Sequence, residues 1–214
     1  LALTDGDCES HTFDRGTTRG VRAIHRNLRD SEGNPSPISV QTEVSLNVAT
    51  GQVKATACVL DDGKGELIAL AYPPRMKFDV PEGHGYTVLP RMQGTILPAG
   101  HSYKLPDAIV FERGAYIPVY GQIQDGCGYA AIIDTPYDAR YSVVGEEIQP
   151  YFAPSLGTMA YPRSVLYSFF TEGDFNTVAK LYRAYLTERG ELMSLKEKIH
   201  RNPKVEYLLG CPIV

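Results

Sequence analysis

Hydrophobic and polar residues alternate along much of the chain before Gly173. The stretch ISVQTEVSLNV, residues 38–48, has a period of two, which predicts a half-buried antiparallel strand. The run QVKATACVL, residues 52–60, returns with the same period after a turn, and the turn DDGKG then leads into ELIALAY. The three runs predict an antiparallel meander. On the apolar side of the first strand lie Val40, Thr42, Val44, Leu46 and Val48.

Further strand-like runs follow between clusters of Gly, Pro, Asp and Asn. The clearest hairpin signal is Asp125-Gly126, because a tight primed turn requires positive φ angles that glycine adopts readily. About ten short strands of this kind predict a mainly β protein with a large antiparallel β-sandwich. The remaining predicted strands are TRGVRAIHRNL, YTVLPRMQGTILP, AIVFE, YIPVYGQIQ, YAAIID, ARYSVVG and SVLYSFF.

The pattern changes to a helical period after Gly173. Apolar residues then recur at steps of three and four, behind a candidate N-cap at Asp174, and Gly190 ends this predicted helix. Ser194 and Glu197 form an S-x-x-E capping box, which predicts a second, shorter helix that Pro203 ends. The stripe of the first helix consists of Phe175, Val178, Ala179, Tyr182, Tyr185 and Leu186.

The last stretch, VEYLLGCPIV at residues 205–214, has the composition of a strand that is buried on both faces. Such a strand requires neighbours for its backbone hydrogen bonds and cover for both faces. We therefore expect it to be the first strand of a parallel α/β domain that the chain does not contain.

Three segments carry a resemblance to a known family: YTVLPRMQGTILPAG, RGAYIPVYGQIQDGCGYAAIID, and the stretch from Thr171 to Val214. They resemble the N-terminal, galactose-mutarotase-like β-supersandwich of bacterial glycosidases related to the endo-α-N-acetylgalactosaminidase group. In that family a helical linker with a Tyr-Arg-x-Tyr-Leu pattern joins the sandwich to a (β/α)₈ barrel. The matching residues here are Phe175, Leu181, Tyr182, Arg183, Tyr185, Leu186 and Gly190.

The resemblance covers residues 86–214 and implies three parts. Residues 1–172 would form the β-sandwich, 173–203 a two-helix linker, and 204–214 the start of a missing (β/α)₈ barrel. The family's catalytic carboxylates lie at the carboxyl ends of later barrel strands, so the resemblance places them outside this chain. The implied partner is the protein's own C-terminal barrel domain.

Composition excludes several other classes of protein. With a net charge of −4, the chain lacks the basic excess of a nucleic-acid-binding protein. No apolar run approaches the roughly 20 residues of a membrane span, and the N-terminal LALTDGDCESHTF is too polar for a signal peptide. A secreted or cell-surface location fits the implied enzyme class, although the sequence leaves the compartment open.

The segment from Gly83 to Tyr103 holds the residues that we consider for sugar contact. Aromatic rings stack on the C–H faces of sugars, and Arg, Gln and His can hydrogen-bond to hydroxyl groups. The alternative role for Arg91 and Gln93 is to brace the sheet or a contact with the barrel. An aldose epimerase would use a His and a Glu as acid and base on this fold. The predicted carbohydrate-binding residues are His84, Tyr86, Arg91, Gln93 and His101.

No cofactor, metal or catalytic residue is predicted. Asp5, Asp7 and Glu9 alternate like calcium ligands, yet a solvated N-terminal segment explains them without an ion. The adjacent Glu146 and Glu147 are expected at a solvated strand edge. The cysteines are expected to be buried thiols, with a disulfide as the alternative: Cys8, Cys58, Cys127 and Cys211.

The predicted function is that of a non-catalytic sandwich domain of a glycoside-hydrolase-like enzyme, which supports a barrel and contacts glycan. A free-standing carbohydrate-binding module is the first alternative. The presence of 14 tyrosines but no tryptophan argues against it, since dedicated sugar-binding modules often use tryptophan platforms. The aldose epimerase is the second alternative.

Overall fold

The computed structural model describes residues 5–30, 32–63, 67–76, 83–92, 94–101, 103–111, 114–153 and 161–210. They form two sheets that pack face to face, followed by helices, so the predicted β-sandwich is confirmed. Among the strands of these described ranges, all pairs are antiparallel except that of β8 with β9. The strands are β1 Asp7–Arg15, β2 Thr18–Arg26, β3 Ser39–Asn47, β4 Val53–Asp61, β5 Leu70–Ala71, β6 Gly85–Leu89, β7 Thr95–Pro98, β8 Lys104–Val110, β9 Gly114–Ala115, β10 Val119–Gln124, β11 Cys127–Ile133, β12 Ala139–Val144, β13 Glu147–Phe152 and β14 Arg163–Phe170.

The two sheets differ in width. The large sheet has nine strands in the order β1-β2-β3-β4-β14-β11-β10-β6-β7, and the small sheet has five in the order β5-β13-β12-β8-β9. A hydrophobic core fills the space between them and includes Tyr129, Phe152 and Val165. The central strands of the large sheet give alternate residues to this inner face, as the period of two requires, whereas the edge strand β1 is almost entirely exposed.

The predicted meander is correct for its first two strands and wrong for the third. Strands β3 and β4 pair in the large sheet, but ELIALAY contributes only β5, which pairs with β13 in the small sheet. The second neighbour of β4, on the side away from β3, is β14, which comes about a hundred residues later in the chain. Alternation along a strand identifies its buried face but carries no information on which distant strand lies beside it.

Local turn and cap signals are confirmed. Asp125 and Gly126 have φ angles of 49° and 84°, as a primed hairpin turn between β10 and β11 requires. Helix α1, Phe175–Glu188, begins after the N-cap Asp174, and helix α2, Leu195–Arg201, has the predicted capping box of Ser194 and Glu197.

Helix α1 packs on the outer face of the large sheet, against β10 and β11. A second apolar cluster forms there between Val178 and the strand residues Val119, Ile123 and Ile132. Phe175, which we predicted in the buried stripe, is 45% exposed. Helix α1 therefore packs on the outer face of the large sheet through Val178, while Phe175 at its first turn stays outside this contact.

The prediction of a strand near the end of the chain is wrong for the described residues. Pro203–Leu209 forms a 3-10 helix that pairs with no strand, and residues 211–214 lie outside the described part. The Asn202 side chain accepts a hydrogen bond from the Lys204 N–H, and Pro203 stands at the first turn, where its fixed φ suits a helix. These local signals outweigh the apolar composition.

The prediction of buried thiols is wrong for two cysteines. Cys8 and Cys127 are exposed free thiols, and Cys58 is half-buried. Cys8 lies on β1, an edge strand that has neither face covered, and Cys127 opens β11 directly after a turn. Cys211 lies outside the described residues.

Candidate functional site

The residues predicted to contact a sugar do not form one cluster. His84 precedes β6 and Arg91 follows it, so a five-residue strand of about 17 Å separates them. The Nδ1 atom of His84 lies 3.1 Å from Oδ1 of Asp125, and both side chains are more than half exposed. One monosaccharide cannot contact His84 and Arg91 at the same time.

Tyr86 serves as a packing residue. It lies opposite Ile123 of β10, and its ring belongs to the apolar cluster under helix α1. His101 is exposed, with its ring centroid 6.0 Å from that of Tyr103. Gln93 lies outside the described residues.

Arg91 is anchored at the opposite end of β6 from His84. Its Nη1 donates a hydrogen bond of 2.8 Å to the carbonyl of Pro106, which ties the turn after β6 to strand β8. Its own carbonyl accepts from the Gly94 N–H at 2.8 Å and from the Thr95 hydroxyl at 3.2 Å. The guanidinium is therefore held in place before any ligand arrives.

Large exposed apolar side chains lie on the connections at the same end of the sandwich as Arg91. The Tyr116 N–H donates to the Pro90 carbonyl at 3.1 Å, and the rings of Phe111 and Tyr137 lie 6.3 Å apart. These contacts bring the connections together. We call Arg91 and the following exposed residues the end-loop surface: Met92 (83% exposed), Phe111 (52%), Tyr116 (59%), Ile117 (40%) and Tyr137 (87%).

Two residues of the end-loop surface have an unfavourable backbone conformation. Met92 and Phe111 have φ angles of 52° and 62°, a region that bulky L-residues rarely occupy. Strain of this kind, about 1–3 kcal/mol per residue, is concentrated at binding and catalytic sites. Exposed aromatic rings at the same end of the sandwich as a fixed guanidinium have the chemistry to bind a sugar.

Sequence analysis missed Phe111, Tyr116 and Tyr137 as candidate site residues. The first two lie within or beside strand-like runs, where tyrosine and phenylalanine usually indicate burial. The available signal was their position beside turn residues, in FERGAY and in TPYD.

The best connected carboxylate is Asp134, which follows β11 on the outer face of the large sheet. Its oxygens accept hydrogen bonds from Lys54 Nζ at 2.7 Å, the Ser164 hydroxyl at 2.9 Å and the Tyr185 hydroxyl at 2.6 Å. Burial raises the pKa of Asp134, but these donors together outweigh it and hold the pKa below its ordinary value. Asp134 thus joins helix α1 to the sheet as a carboxylate.

The most deeply buried carboxylate is Asp138. Arg163 donates to its Oδ2 from Nε at 2.9 Å and from Nη2 at 2.6 Å, and both side chains are almost completely enclosed. The guanidinium also stacks 3.9 Å above the ring of Tyr161. This ion pair lies where a substrate could not reach it.

The acidic residues that the sequence raised as possible metal ligands or catalytic groups make surface contacts. Glu147 pairs with Arg75 at 3.1 Å, and Glu146 accepts from the Gly100 N–H at 2.6 Å, so the two side chains cross-link loops. Glu9 contacts His11 and Arg26. Within the described ranges, no group of three or more His, Cys, Asp or Glu side chains is arranged to hold a metal ion.

The described helices were compared with the length and apolar character that a membrane-spanning helix requires. The longest, α1, has 14 residues, and no described helix has the length and apolar character to cross a bilayer.

Comparison with known proteins gives a structural match but no sequence-family match. No protein-family model matches the chain, and no curated protein matches it. Structures of the α-N-acetylgalactosaminidase NagBb from Bifidobacterium bifidum superpose on 95% of the chain. The TM-scores and identities are 0.84 and 26% for a quadruple mutant, 0.83 and 27% for a GalNAc complex, and 0.85 and 25% for a Gal-NHAc-DNJ complex.

The chain spans 34% of the length of these structures. Because the match covers 95% of the chain, it extends over most of the first 80 residues, for which the sequence showed no resemblance. The predicted resemblance to a domain of a bacterial glycosidase is confirmed, and the similarity is consistent with an N-terminal domain.

Proposed function

We propose that this chain is a non-catalytic sandwich domain of a carbohydrate-active enzyme of the glycoside hydrolase type. One observation carries the proposal: the chain matches an α-N-acetylgalactosaminidase over 95% of its own length but only 34% of that enzyme's length. Most of such an enzyme, with room for a (β/α)₈ barrel, lies outside the matched part. The barrel supplies the catalytic carboxylates.

The contacts of the carboxylates support a non-catalytic role. Glycoside hydrolysis uses two carboxyl groups about 5–10 Å apart that flank the scissile bond and are open to substrate. Asp134 accepts hydrogen bonds from four side chains beneath helix α1, those of Lys54, Ser164, Tyr185 and Arg189, and Asp138 is enclosed with Arg163. Neither can approach a glycosidic oxygen without breaking a contact that holds the fold together.

The proposed substrate class for the complete enzyme is α-linked N-acetylgalactosamine. The support is the ligands named for the neighbours, GalNAc and Gal-NHAc-DNJ. An aryl α-N-acetylgalactosaminide is therefore the first substrate to test.

The test compares this 214-residue chain with the polypeptide that the complete reading frame encodes. We expect the complete polypeptide to release the aryl group and the 214-residue chain to match buffer. Turnover by the 214-residue chain that a substitution such as Asp134→Asn abolishes, while the variant stays folded, would contradict the proposal.

A second candidate function, glycan binding, is favoured by the end-loop surface. The exposed aromatic rings of this surface can stack on a pyranose. The guanidinium of the anchored Arg91 can donate hydrogen bonds to the hydroxyl groups of the same sugar. The epimerase alternative lacks comparable support, because His84 pairs with Asp125 at an exposed turn.

Titration of the chain with N-acetylgalactosamine and with galactosides, followed by NMR, tests glycan binding. We expect millimolar affinity that Tyr137→Ala weakens at least fivefold. Tyr207→Ala is the matched control, since Tyr207 is also exposed but lies on the 3-10 helix. Equal affinities of the two variants would remove the end-loop surface from the proposal.

A further inference from the structure

The small sheet covers only part of the large one. On the inner face of β3, Val40 is buried in the core between the sheets together with Tyr72, which follows the edge strand β5. Further along the same face, beyond this cover, Val44 and Leu46 are 46% and 41% exposed. The alternating pattern of β3 predicted burial of Val40, Val44 and Leu46 alike. In the structure only the first half of the strand is covered on this face.

The exposed residues lie on the same face of neighbouring strands. Val21 lies directly opposite Val44 on the neighbouring strand, and Leu46 lies opposite Val53, which in turn lies opposite Tyr167. Phe169 is two residues beyond Tyr167 and stacks on it with ring centroids 6.4 Å apart. We call these residues the open sheet face: Val21 (45% exposed), Val44 (46%), Leu46 (41%) and Phe169 (52%).

The opposite face of the same strands has a different composition. Arg22 and Glu43 lie opposite each other there and form an ion pair of 2.7 Å. A strand with charges on one face and β-branched or aromatic residues on the other is typical of an antiparallel sheet packed against protein on its apolar side. The open sheet face therefore has the composition of a buried surface.

We propose that the open sheet face packs against another domain of the same polypeptide. This inference rests on the proposed function, because that function places a larger enzyme around the chain. The occupant follows from the length of the neighbours, about two thirds of which lies outside the match. Contiguous exposed apolar patches of this kind mark interaction sites, and interfaces between domains of one chain bury roughly 600–1,500 Å².

The adjacent edge strand argues against a second copy of the chain that would extend the sheet edge to edge. Strand β1 borders the open sheet face and carries Asp7, Glu9, Asp14 and Arg15 in nine residues that are almost entirely exposed. Charges on an edge strand discourage the pairing of sheets between molecules. Self-association is the competing outcome of the test.

The first experiment measures the accessibility of Phe169 by hydroxyl-radical footprinting. In the 214-residue chain we expect Phe169 to react at the rate of a half-exposed ring. In the polypeptide that the complete reading frame encodes we expect its oxidation to be at least fivefold slower. Equal rates in the two proteins, or a reading frame that encodes no further domain, would overturn the proposal.

The second experiment compares two double variants. Val44→Thr with Leu46→Thr changes the open sheet face, and Val144→Thr with Ile96→Thr is the control, because Val144 and Ile96 are 49% and 47% exposed elsewhere. In the 214-residue chain we expect both variants to melt within a few degrees of wild type. In the complete polypeptide we expect only the first variant to restore fast oxidation of Phe169.

Two results would overturn the inference in a definite way. Slow oxidation of Phe169 in the complete polypeptide carrying the first variant means that another surface provides the cover. A monomer–dimer equilibrium of the 214-residue chain in sedimentation, abolished by the first variant, assigns the face to a second copy. Hydrolysis is measured separately, so an inactive complete polypeptide with a protected Phe169 would contradict the proposed function alone.

Discussion

The most deeply buried ion pair, between Arg163 and Asp138, is the clearest stability determinant at the scale of single residues. Arg163 is fully enclosed at the start of β14, with its side chain on the inner face of the large sheet. It joins β14 to the loop before β12 through Asp138 and stacks on Tyr161. Removing the carboxylate leaves a buried positive charge without its counter-ion.

We therefore expect Asp138→Ala to lower the free energy of unfolding by about 3–5 kcal/mol, the usual cost of breaking a buried pair. Urea unfolding monitored by tyrosine fluorescence measures this loss. Glu188→Ala is the control, because that carboxylate is exposed on helix α1, and we expect a change below about 0.5 kcal/mol. A loss under 1 kcal/mol for Asp138→Ala would mean that the surrounding groups stabilise Arg163 by themselves.

Asp134 makes the stability of the fold depend on pH. Its pKa lies below the ordinary value in the folded protein, because the Lys54, Tyr185 and Ser164 donors outweigh the effect of burial. A depressed carboxyl pKa stabilises the folded state at pH values above the unfolded pKa of about 3.9. The contribution is lost as the pH falls from that value through the lower, folded pKa.

We expect Asp134→Asn to reduce the free energy of unfolding at neutral pH by about 1–3 kcal/mol, since hydrogen bonds to a charged group are lost. The difference from wild type shrinks when unfolding is measured in steps below about pH 4, because wild-type Asp134 then takes up a proton, first in the unfolded chain and at lower pH in the folded protein. Tyr185→Phe serves as the companion variant and removes one donor while keeping the carboxylate. A difference that stays constant down to about pH 2 would show that the charge of Asp134 is not responsible.

Sequence analysis predicted such residues poorly, for a physical reason. Asp134 and its donors Lys54, Ser164 and Tyr185 are 30 to 80 positions apart, and only the packing of α1 on the sheet brings them together. The proposed sugar contacts failed to cluster for a related reason. His84 and Arg91 are close in sequence, yet a strand between them extends the chain and separates them.

At the scale of elements, prediction succeeded wherever the determining contacts are local. The N-cap Asp174, the capping box of Ser194 and Glu197, and the turn at Asp125 all act within four residues, and all occur as predicted. The stretch after Asn202 went wrong because its apolar residues were given more weight than the cap and proline before them. Sheet membership of β5 depends on contacts across the whole chain, so no local signal could have revealed it.

The contact between α1 and the sheet depends on a position without a side chain. A Cβ atom at Gly121 of β10 would lie 2.8 Å from Cγ2 of Val178 and 2.6 Å from the Tyr129 carbonyl oxygen. Val178 is the buried residue of α1, 2% exposed. The helix can approach this closely because β10 has a glycine beneath it.

We expect Gly121→Ala to destabilise the fold by about 1–3 kcal/mol, the range for overpacking a well-packed site. Amide hydrogen exchange locates the effect, which we expect to be largest in α1, β10 and β11. Gly210→Ala is the control, since nothing lies within 4 Å of a Cβ atom there. Unchanged stability of Gly121→Ala would show that the helix can shift outward at no cost.

At the scale of the whole molecule, the sandwich with α1 is distinct from the end of the described chain. Helix α1 contributes Val178 to a buried cluster, whereas α2 and the 3-10 helix contain no buried residue and pack against each other. Their exposed apolar residues, Tyr207 and Leu209 among them, resemble the open sheet face in lacking cover. Both surfaces suit a chain that packs against further protein, in agreement with the proposed domain role.

This division predicts the order of cleavage by trypsin. We expect the first cuts in the segment from α2 onward, because stable packing protects the sandwich and α1 while exposed single helices open readily. The sites are Lys196, Lys198, Arg201 and Lys204, all on exposed side chains. The trimmed product should keep its melting temperature within about 2 °C, since a loss of 1 kcal/mol would shift a protein of this size by roughly 2–4 °C. Mass spectrometry of the early fragments and a melt of the product test both statements.

A first cut within the β-strands, or a larger fall in melting temperature, would show that α2 and the 3-10 helix are part of the cooperative unit. The boundary of the sandwich domain would then move toward residue 210.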